Sequence, residues 1–319
     1  MHGLVAIDKN LTPVRPAIIW CDSRAVKIGE SAFDALKDQY YMDHHLNAPG
    51  NFTASKLAWV KEKEPEIYAK IWKFMLPGDY LALKLSDKAT TTEAGLSEGA
   101  LWDFKNKMIS AQLMDHYEFS ETLIPEIVPS VGLQCHVSKW AAEELGLTPN
   151  IPITYRAGDQ PNNALSLGVL DPGELATTAG TSAVIYGVTN APLYDTKSRV
   201  NTFLHVNNTL KNPRNGVLLC VNGSGILYSW LKKMLNITTE LIDYNDLNNI
   251  SEKAPPGSLN LRFFPFGNGA ERILGNVNLN NFLNKWGLKC TNCFRKSLYS
   301  ASPSLFRRLL LALMLQGMK

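Results

Sequence analysis

The stretch ITYRAGDQPNNALSLG (residues 153–168) hands a strand-forming run to a small-residue helix through Gly158-Asp159-Gln160. The same handover recurs along the chain, and it restricts the fold more than any other feature. KIWKFMLPGDYLALKLS (70–86) reads strand, turn, helix, and GVLLCVNGSGILYSWLKKML (216–235) reads strand, glycine-rich loop, helix. Strand-like segments at 3–8 and 14–20 precede a helix over roughly 24–36, with Asp22-Ser23 placed to cap it. A helix from Thr53 stops at Pro65, and another over 138–147 ends at Gly146, a C-cap glycine. Residues 173–189 are β-rich around a tight Gly-Thr-Ser, and the helix after Asp159 carries Pro161 in its tolerant first turn. Alternation of this kind predicts an α/β fold.

With 319 residues the chain can hold two cores. The break GVLDPGE (168–174) divides it into expected domains at 1–168 and 169–319. A hydrophobic content of 45% with 19% charged residues excludes a disordered chain. The net charge of +3, with no aromatic-rich basic cluster, argues against a nucleic-acid partner. The densest apolar run, LLLALML (309–315), is too short to span a bilayer. Five cysteines without a framework spacing fit a reducing compartment, and the cytoplasm is the expected location. Cys290 and Cys293 have metal-ligand spacing but supply half a zinc site, so no protein metal site is expected.

Neither GxxxxGK[ST] nor GxGxxG occurs, which removes the main support for P-loop and Rossmann readings. Gly223-Ser224-Gly225 lies between a strand and a helix N-terminus, where phosphate binds well, and it is equally an ordinary β–α turn. Gly180-Thr181-Ser182 lets a backbone approach a phosphate closely. Gly95-Leu96-Ser97-Glu98-Gly99 matches the nucleophile elbow of hydrolases but lacks the buried strand before it and the long helix after it. Asp159 stands at the carboxyl end of a strand, where open α/β sheets bind ligands. It could take a proton from an alcohol while Gln160 and Asn162 or Asn163 hold neighbouring hydroxyls, or it could simply cap the following helix.

Taken together the stretches resemble the FGGY family of carbohydrate kinases, and within it the branch acting on xylulose. MHGLVAIDKN with VRPAIIWCDSR, PGNFTASKLAWVKEKEPEIY, LPGDYLALKL, AGDQPNNALSLGVLDPGELATTAGTSAVIY and FFPFGNGAER follow the family's order and spacing over about residues 1–279. The resemblance implies two actin-like ATPase (ribonuclease H-like) domains around a cleft, here incomplete at both termini. It implies Asp159 as the base that deprotonates a sugar hydroxyl, Met1, His2, Trp20 and Gln160 around the sugar, and Gly180, Thr181 and Gly225 near ATP. Mg2+ would bridge the ATP phosphates, D-xylulose would be the acceptor, and a homodimer is one assembly open to such a chain. Trp20 as core, His2 as a loose terminus and Asp22 as a cap are the plain alternatives. Another polyol or ketose, or a sugar-binding remnant without turnover, are the alternatives in function.

The sequence departs from the family pattern in three places. The family's Asp-x-Gly-Thr loop precedes the Met-His pair with which this sequence opens, and its Gly-Gly adenine site lies beyond position 319. From Asn280 onward there are seven Lys or Arg and no acidic residue, whereas residues 1–279 carry 25 basic and 29 acidic side chains. A shifted reading frame over this tail, low stability and little kinase activity are the corresponding expectations.

Overall fold

The computed structural model describes residues 2–36, 39–180, 182–221, 225–235 and 243–252, and the backbone of two short strands at 270–271 and 277–278. Met1, Thr181, Gly223, Ser224 and the basic, cysteine-bearing tail lie outside the described residues.

The run Leu4-Val5-Ala6-Ile7 shows why the first unit folds as it does. Alternate residues of a strand point to opposite faces, and here both faces are apolar. Leu4 and Ala6 join Ile18, Leu57, Phe74 and Leu101 in the main core. Val5 and Ile7 join Met75 and Leu83 in a second cluster on the other side. The strand Val5–Ile7 pairs antiparallel with Lys73–Met75, with Val5 opposite Met75. Each fully buried Leu or Ile contributes about 1.5–3 kcal/mol of transfer free energy.

The segment expected as a strand over 14–20 is reduced to one isolated bridge, Leu4 with Ile18, with a second, Ile7 with Pro13, just before it. Pro13 and Pro16 have no N–H to donate, so a continuous ladder cannot form there. Helices form at Val26–Leu36 and Thr53–Lys63, and Pro65 opens a further short helix, Pro65–Tyr68, as its first residue. The helix Pro77–Ser86 follows the strand Lys73–Met75, as its sequence predicts. In the helix Lys139–Leu145 the Ser138 hydroxyl accepts the Ala141 N–H at 3.2 Å, and Gly146 closes it at φ 66°.

The strand Pro152–Tyr155 pairs antiparallel with Val131–His136 and leads into the helix Asp159–Ser166. Ala164 of that helix is buried with Val169, Ala176, Tyr186 and Val188. This apolar contact anchors the helix whose first residue is Asp159. Ala176 and the pair Tyr186 and Val188 come from neighbouring strands of a four-stranded sheet ordered Asn201–Leu204, Asn215–Val221, Ala183–Thr189, Leu175–Ala179.

Two compact units result: residues 1–176 with 186–218, and residues 177–185 with 219–319. The sequence boundary at 168/169 falls inside the first of them. In the second unit Tyr228 donates its phenol proton to Asn248 Oδ1 at 2.8 Å, and Lys232 lies 4.1 Å from the centroid of the Tyr244 ring. Among the described residues no helix is long and apolar enough to cross a membrane.

Candidate functional site

The junction after the strand Pro152–Tyr155 is held from below by charge. Arg156, almost fully buried, places Nη1 3.4 Å from Asp79 Oδ1 and donates from Nη2 to Thr90 Oγ1 at 3.0 Å. Asp79 Oδ2 accepts the Thr91 hydroxyl at 2.9 Å and the Leu76 N–H at 3.2 Å. Burial pushes the Asp79 carboxyl up to about 6, against the pull of Arg156 and these two hydrogen bonds. Removing solvent from a carboxylate is costly unless charge and donors replace it, and Asp79 has both.

Gly158 follows, and its lack of a side chain is required. A Cβ built there would land on the Glu98 carboxyl group, which is 2% exposed. Gly158→Ala should therefore force apart two packed segments. We expect a loss of about 1–3 kcal/mol, the usual cost of overpacking a core. A thermal melt would read it, and the double variant with Glu98→Ala should recover part of the loss, because the two positions compete for one space.

Asp159 is the first residue of its helix, and the N-cap position belongs to Gly158. A helix-capping role is thus not the place that the backbone gives Asp159. Its carboxyl reaches solvent, and Oδ2 accepts the Gln160 side-chain N–H at 3.1 Å. It titrates below its ordinary value: burial raises it, but the charge and hydrogen bonds around it, the Gln160 amide among them, outweigh burial. An anionic carboxylate with an amide donor beside it can take a proton from an alcohol and hold a second hydroxyl. Asn162 Oδ1 is already engaged, accepting the Tyr155 hydroxyl at 2.9 Å.

His2 is brought to the same place by a contact across 96 positions. Its Nδ1 lies 2.9 Å from the Glu98 carbonyl oxygen. Its ring meets Phe52 edge-on at 4.6 Å and Phe203 at 5.4 Å. A carbonyl only accepts, so Nδ1 carries the proton, and burial holds the ring neutral by lowering its pKa to about 3. Nε2 is then an acceptor, and it makes no hydrogen bond among the described residues. This arrangement suits a hydroxyl donor.

Trp20 takes a different position. Its side chain is 69% exposed, and its carbonyl oxygen is 3.4 Å from the Asn51 amide, which also donates to the Asp22 carbonyl at 2.7 Å. Lys56, wholly buried, donates Nζ to the Asn51 carbonyl, and burial lowers its pKa to about 8. Asp22 does not cap the helix Val26–Leu36 in the expected way. Its carboxyl instead grips the Arg24 backbone N–H and guanidinium.

Glu98 was invisible to sequence reasoning, because its neighbours read as a failed nucleophile elbow. The structure overturns one ground for that rejection, since the buried strand Thr90–Thr92 does precede the helix Glu93–Glu98. What rules the elbow out is that Ser97 lies inside the helix and is buried, donating to the Ala94 carbonyl at 2.8 Å and accepting the Leu204 N–H at 3.0 Å. The only signal for Glu98 was the run of small residues that lets this helix pack closely.

In the second unit Gly180 and Gly225 are neighbours, as Gly180 accepts the Gly225 N–H at 2.7 Å. The Gly180 N–H is itself given to Ser182 O at 2.9 Å. Both amides are thus committed within the protein, and what the glycines offer a phosphate is bare backbone surface. Thr181 and Met1 fall outside the described residues, so the structure brings together His2, Asp159 and Gln160 from the expected sugar set. Among the described residues no three His, Cys, Asp or Glu side chains gather to hold a metal.

Burial also lowers the pKa of His45 and of His205. Their contribution to stability is complete above the unfolded pKa of about 6.5 and is lost as pH falls toward the folded values. We expect the melting temperature of His45→Asn, although lower at pH 7, to fall less than that of the wild type between pH 7 and 5. Parallel slopes would contradict this.

A strand-to-helix carboxylate, a neutral histidine acceptor and an amide donor on an α/β fold have the chemistry to receive the hydroxyls of an alcohol. Residues 1–166 match the N-terminal domain of the FGGY family of carbohydrate kinases, and the chain belongs to that family. It is 30% identical over 255 residues to the xylulose kinase of Staphylococcus xylosus, covering 77% of this chain and 51% of that protein. It is 27% identical over 295 residues to the gluconokinase of Bacillus subtilis, covering 86% of this chain and 54% of that protein. The crystal structure of the xylulose kinase from Lactobacillus acidophilus superposes with a TM-score of 0.73 over 83% of this chain and 53% of that one. At 20% identity that likeness speaks for the fold, the actin-like ATPase fold of FGGY sugar kinases. The chain spans about half the length of the curated relatives it matches.

Proposed function

We propose that this chain carries the sugar site and general base of an ATP-dependent kinase that phosphorylates a ketopentose, D-xylulose. The observation that carries the reading is the convergence of His2, Asp159 and Gln160 at one strand-to-helix junction. Asp159 takes the proton of the attacking sugar hydroxyl as its oxygen bonds to the γ-phosphorus. The bond from that phosphorus to the bridging oxygen breaks, and ADP departs with the electron pair. Gln160 and the Nε2 of His2 orient hydroxyls, so that proximity lowers the entropic barrier to transfer. Mg2+ would arrive with ATP, held chiefly by phosphate oxygens as is usual for this ion. Gly180, Thr181 and Gly225 form the proposed nucleotide contacts, with Met1 and Trp20 as further sugar contacts.

The choice of D-xylulose over gluconate rests on the Met-His pair and on the xylulose kinases among the relatives. Isothermal titration with D-xylulose, gluconate and glycerol tests it. Tightest binding of D-xylulose is the expected result, and preference for gluconate would replace the substrate while keeping the site. His2→Ala should weaken D-xylulose binding about tenfold, the cost of roughly one hydrogen bond to a substrate hydroxyl.

A further inference from the structure

Three consecutive residues, Asn51-Phe52-Thr53, reach separate parts of the candidate sugar site, and proton abstraction by Asp159 uses none of them. Asn51 donates Nδ2 to the Asp22 carbonyl at 2.7 Å and lies 3.4 Å from the Trp20 carbonyl, so one amide closes the turn that carries Trp20. Phe52, 4% exposed, meets the His2 ring edge-on at 4.6 Å. Thr53, fully buried, donates its hydroxyl to the Gly3 carbonyl at 3.0 Å, one residue beyond His2. The Trp20 turn and the His2 segment are thus tied to one short stretch of backbone.

Lys56 holds that stretch from beneath. It lies one turn into the helix Thr53–Lys63, wholly buried, and donates Nζ to the Asn51 carbonyl. Its backbone N–H bonds to the Phe52 carbonyl at 3.0 Å, so one residue grips two neighbouring carbonyls. Asp22 and Cys21, whose charges favour its ammonium against burial, both belong to the Trp20 turn. A buried ammonium is costly, and an apolar side chain of similar length would fill this place at less cost. Stability therefore does not account for a lysine here. From the other flank the helix Val26–Leu36 closes on the same stretch, where a Cβ on Gly29 would strike the Gly50 carbonyl. Trp20 is left with its backbone fastened and its indole open, an aromatic face ready to cover the apolar side of a ligand.

We propose that Asn51 and Lys56 are positioning residues for the sugar site: the Lys56 ammonium fixes the Asn51 backbone, and the Asn51 amide fixes the turn that presents Trp20 to the sugar. The last clause rests on the sugar-kinase reading, whereas the fastening of the turn does not.

Amide hydrogen exchange tests the fastening with no sugar present. In this turn the Asp22 N–H bonds to the Ile19 carbonyl at 3.2 Å and the Arg24 N–H to Asp22 Oδ1 at 3.1 Å, so its opening is readable. In Asn51→Ala and in Lys56→Met, peptides covering 19–24 should exchange about tenfold faster than in the wild type, the worth of roughly one hydrogen bond. The helix Thr53–Lys63 should keep its protection. Lys56→Met retains an apolar stem suited to its buried place, so it decides the matter even where Asn51→Ala folds poorly. Unchanged exchange over 19–24, or an equal rise in turn and helix, would overturn the proposal. Titration of D-xylulose tests the role. Asn51→Ala and Trp20→Ala should each weaken binding about tenfold, and the double variant should lose little beyond either, because Asn51 acts through Trp20. Additive losses, or wild-type affinity in a variant whose turn exchanges faster, would overturn the positioning role. If D-xylulose, gluconate and glycerol all fail to bind the wild type, the kinase reading fails, and the exchange still decides whether Asn51 and Lys56 fasten the turn.

Discussion

Arg156→Ala should destabilise the protein by about 3–5 kcal/mol, because it leaves Asp79 as a buried charge without its partner. The loss should depend on pH in a definite direction. A carboxyl whose folded pKa is raised contributes stability that is fully present below its unfolded value and is lost as pH rises through the folded value. Asp79 already sits near 6 with Arg156 beside it, and without that cation it rises further. The variant should therefore come closest to the wild type near pH 4 to 5 and fall furthest behind near pH 8. Replacing both residues, with Asp79→Asn added, should recover much of the loss at pH 8, since an amide costs less to bury than an anion. Chemical denaturation of the three variants at two pH values reads all of this. A pH-independent loss would mean that Arg156 acts through packing of its stem alone.

How much of this was written in the sequence varies by element. The handover at Gly158-Asp159 was legible, because local chemistry dictates it: a strand run, a glycine, then small residues able to form a helix. The helix Lys139–Leu145 was equally legible, since Ser138 and Gly146 mark its two ends. The strand expected over 14–20 was not, because apolar content suggested a ladder that two prolines prevent. The hardest part to read was the long-range part. Gly158 looked like turn chemistry, and its real constraint is Glu98, 60 positions earlier in the chain. Arg156 and Asp79 carried no shared pattern, since a buried ion pair between distant segments leaves no periodicity behind. Trp20 offered a sugar contact or a core position by its type, and the structure leaves it exposed beside the turn where Asn51 donates to the Asp22 carbonyl.

Asp159→Asn should reduce phosphoryl transfer by about 10²–10⁴-fold, the usual worth of a positioned general base. The substitution preserves shape and keeps an oxygen that can accept the Gln160 N–H, so the helix Asp159–Ser166 should remain in place. Its stability should change little, because Asp159 reaches solvent and its helix is anchored by Ala164. D-Xylulose affinity should change far less than rate, since the lost group acts on a proton that moves only in the transition state. An equal loss in affinity and rate would instead place Asp159 among the groups that merely hold the sugar.

The central claim, that Asp159 is the base of a sugar kinase, is met most directly by γ-labelled ATP. Wild type and Asp159→Asn are incubated with labelled ATP, Mg2+ and D-xylulose, and labelled sugar phosphate is counted at early times. The expected result is label in xylulose phosphate from the wild type, with at least about a hundredfold less from the variant. Equal rates of sugar labelling by the two proteins would contradict it, whereas the low overall turnover expected of this chain would not.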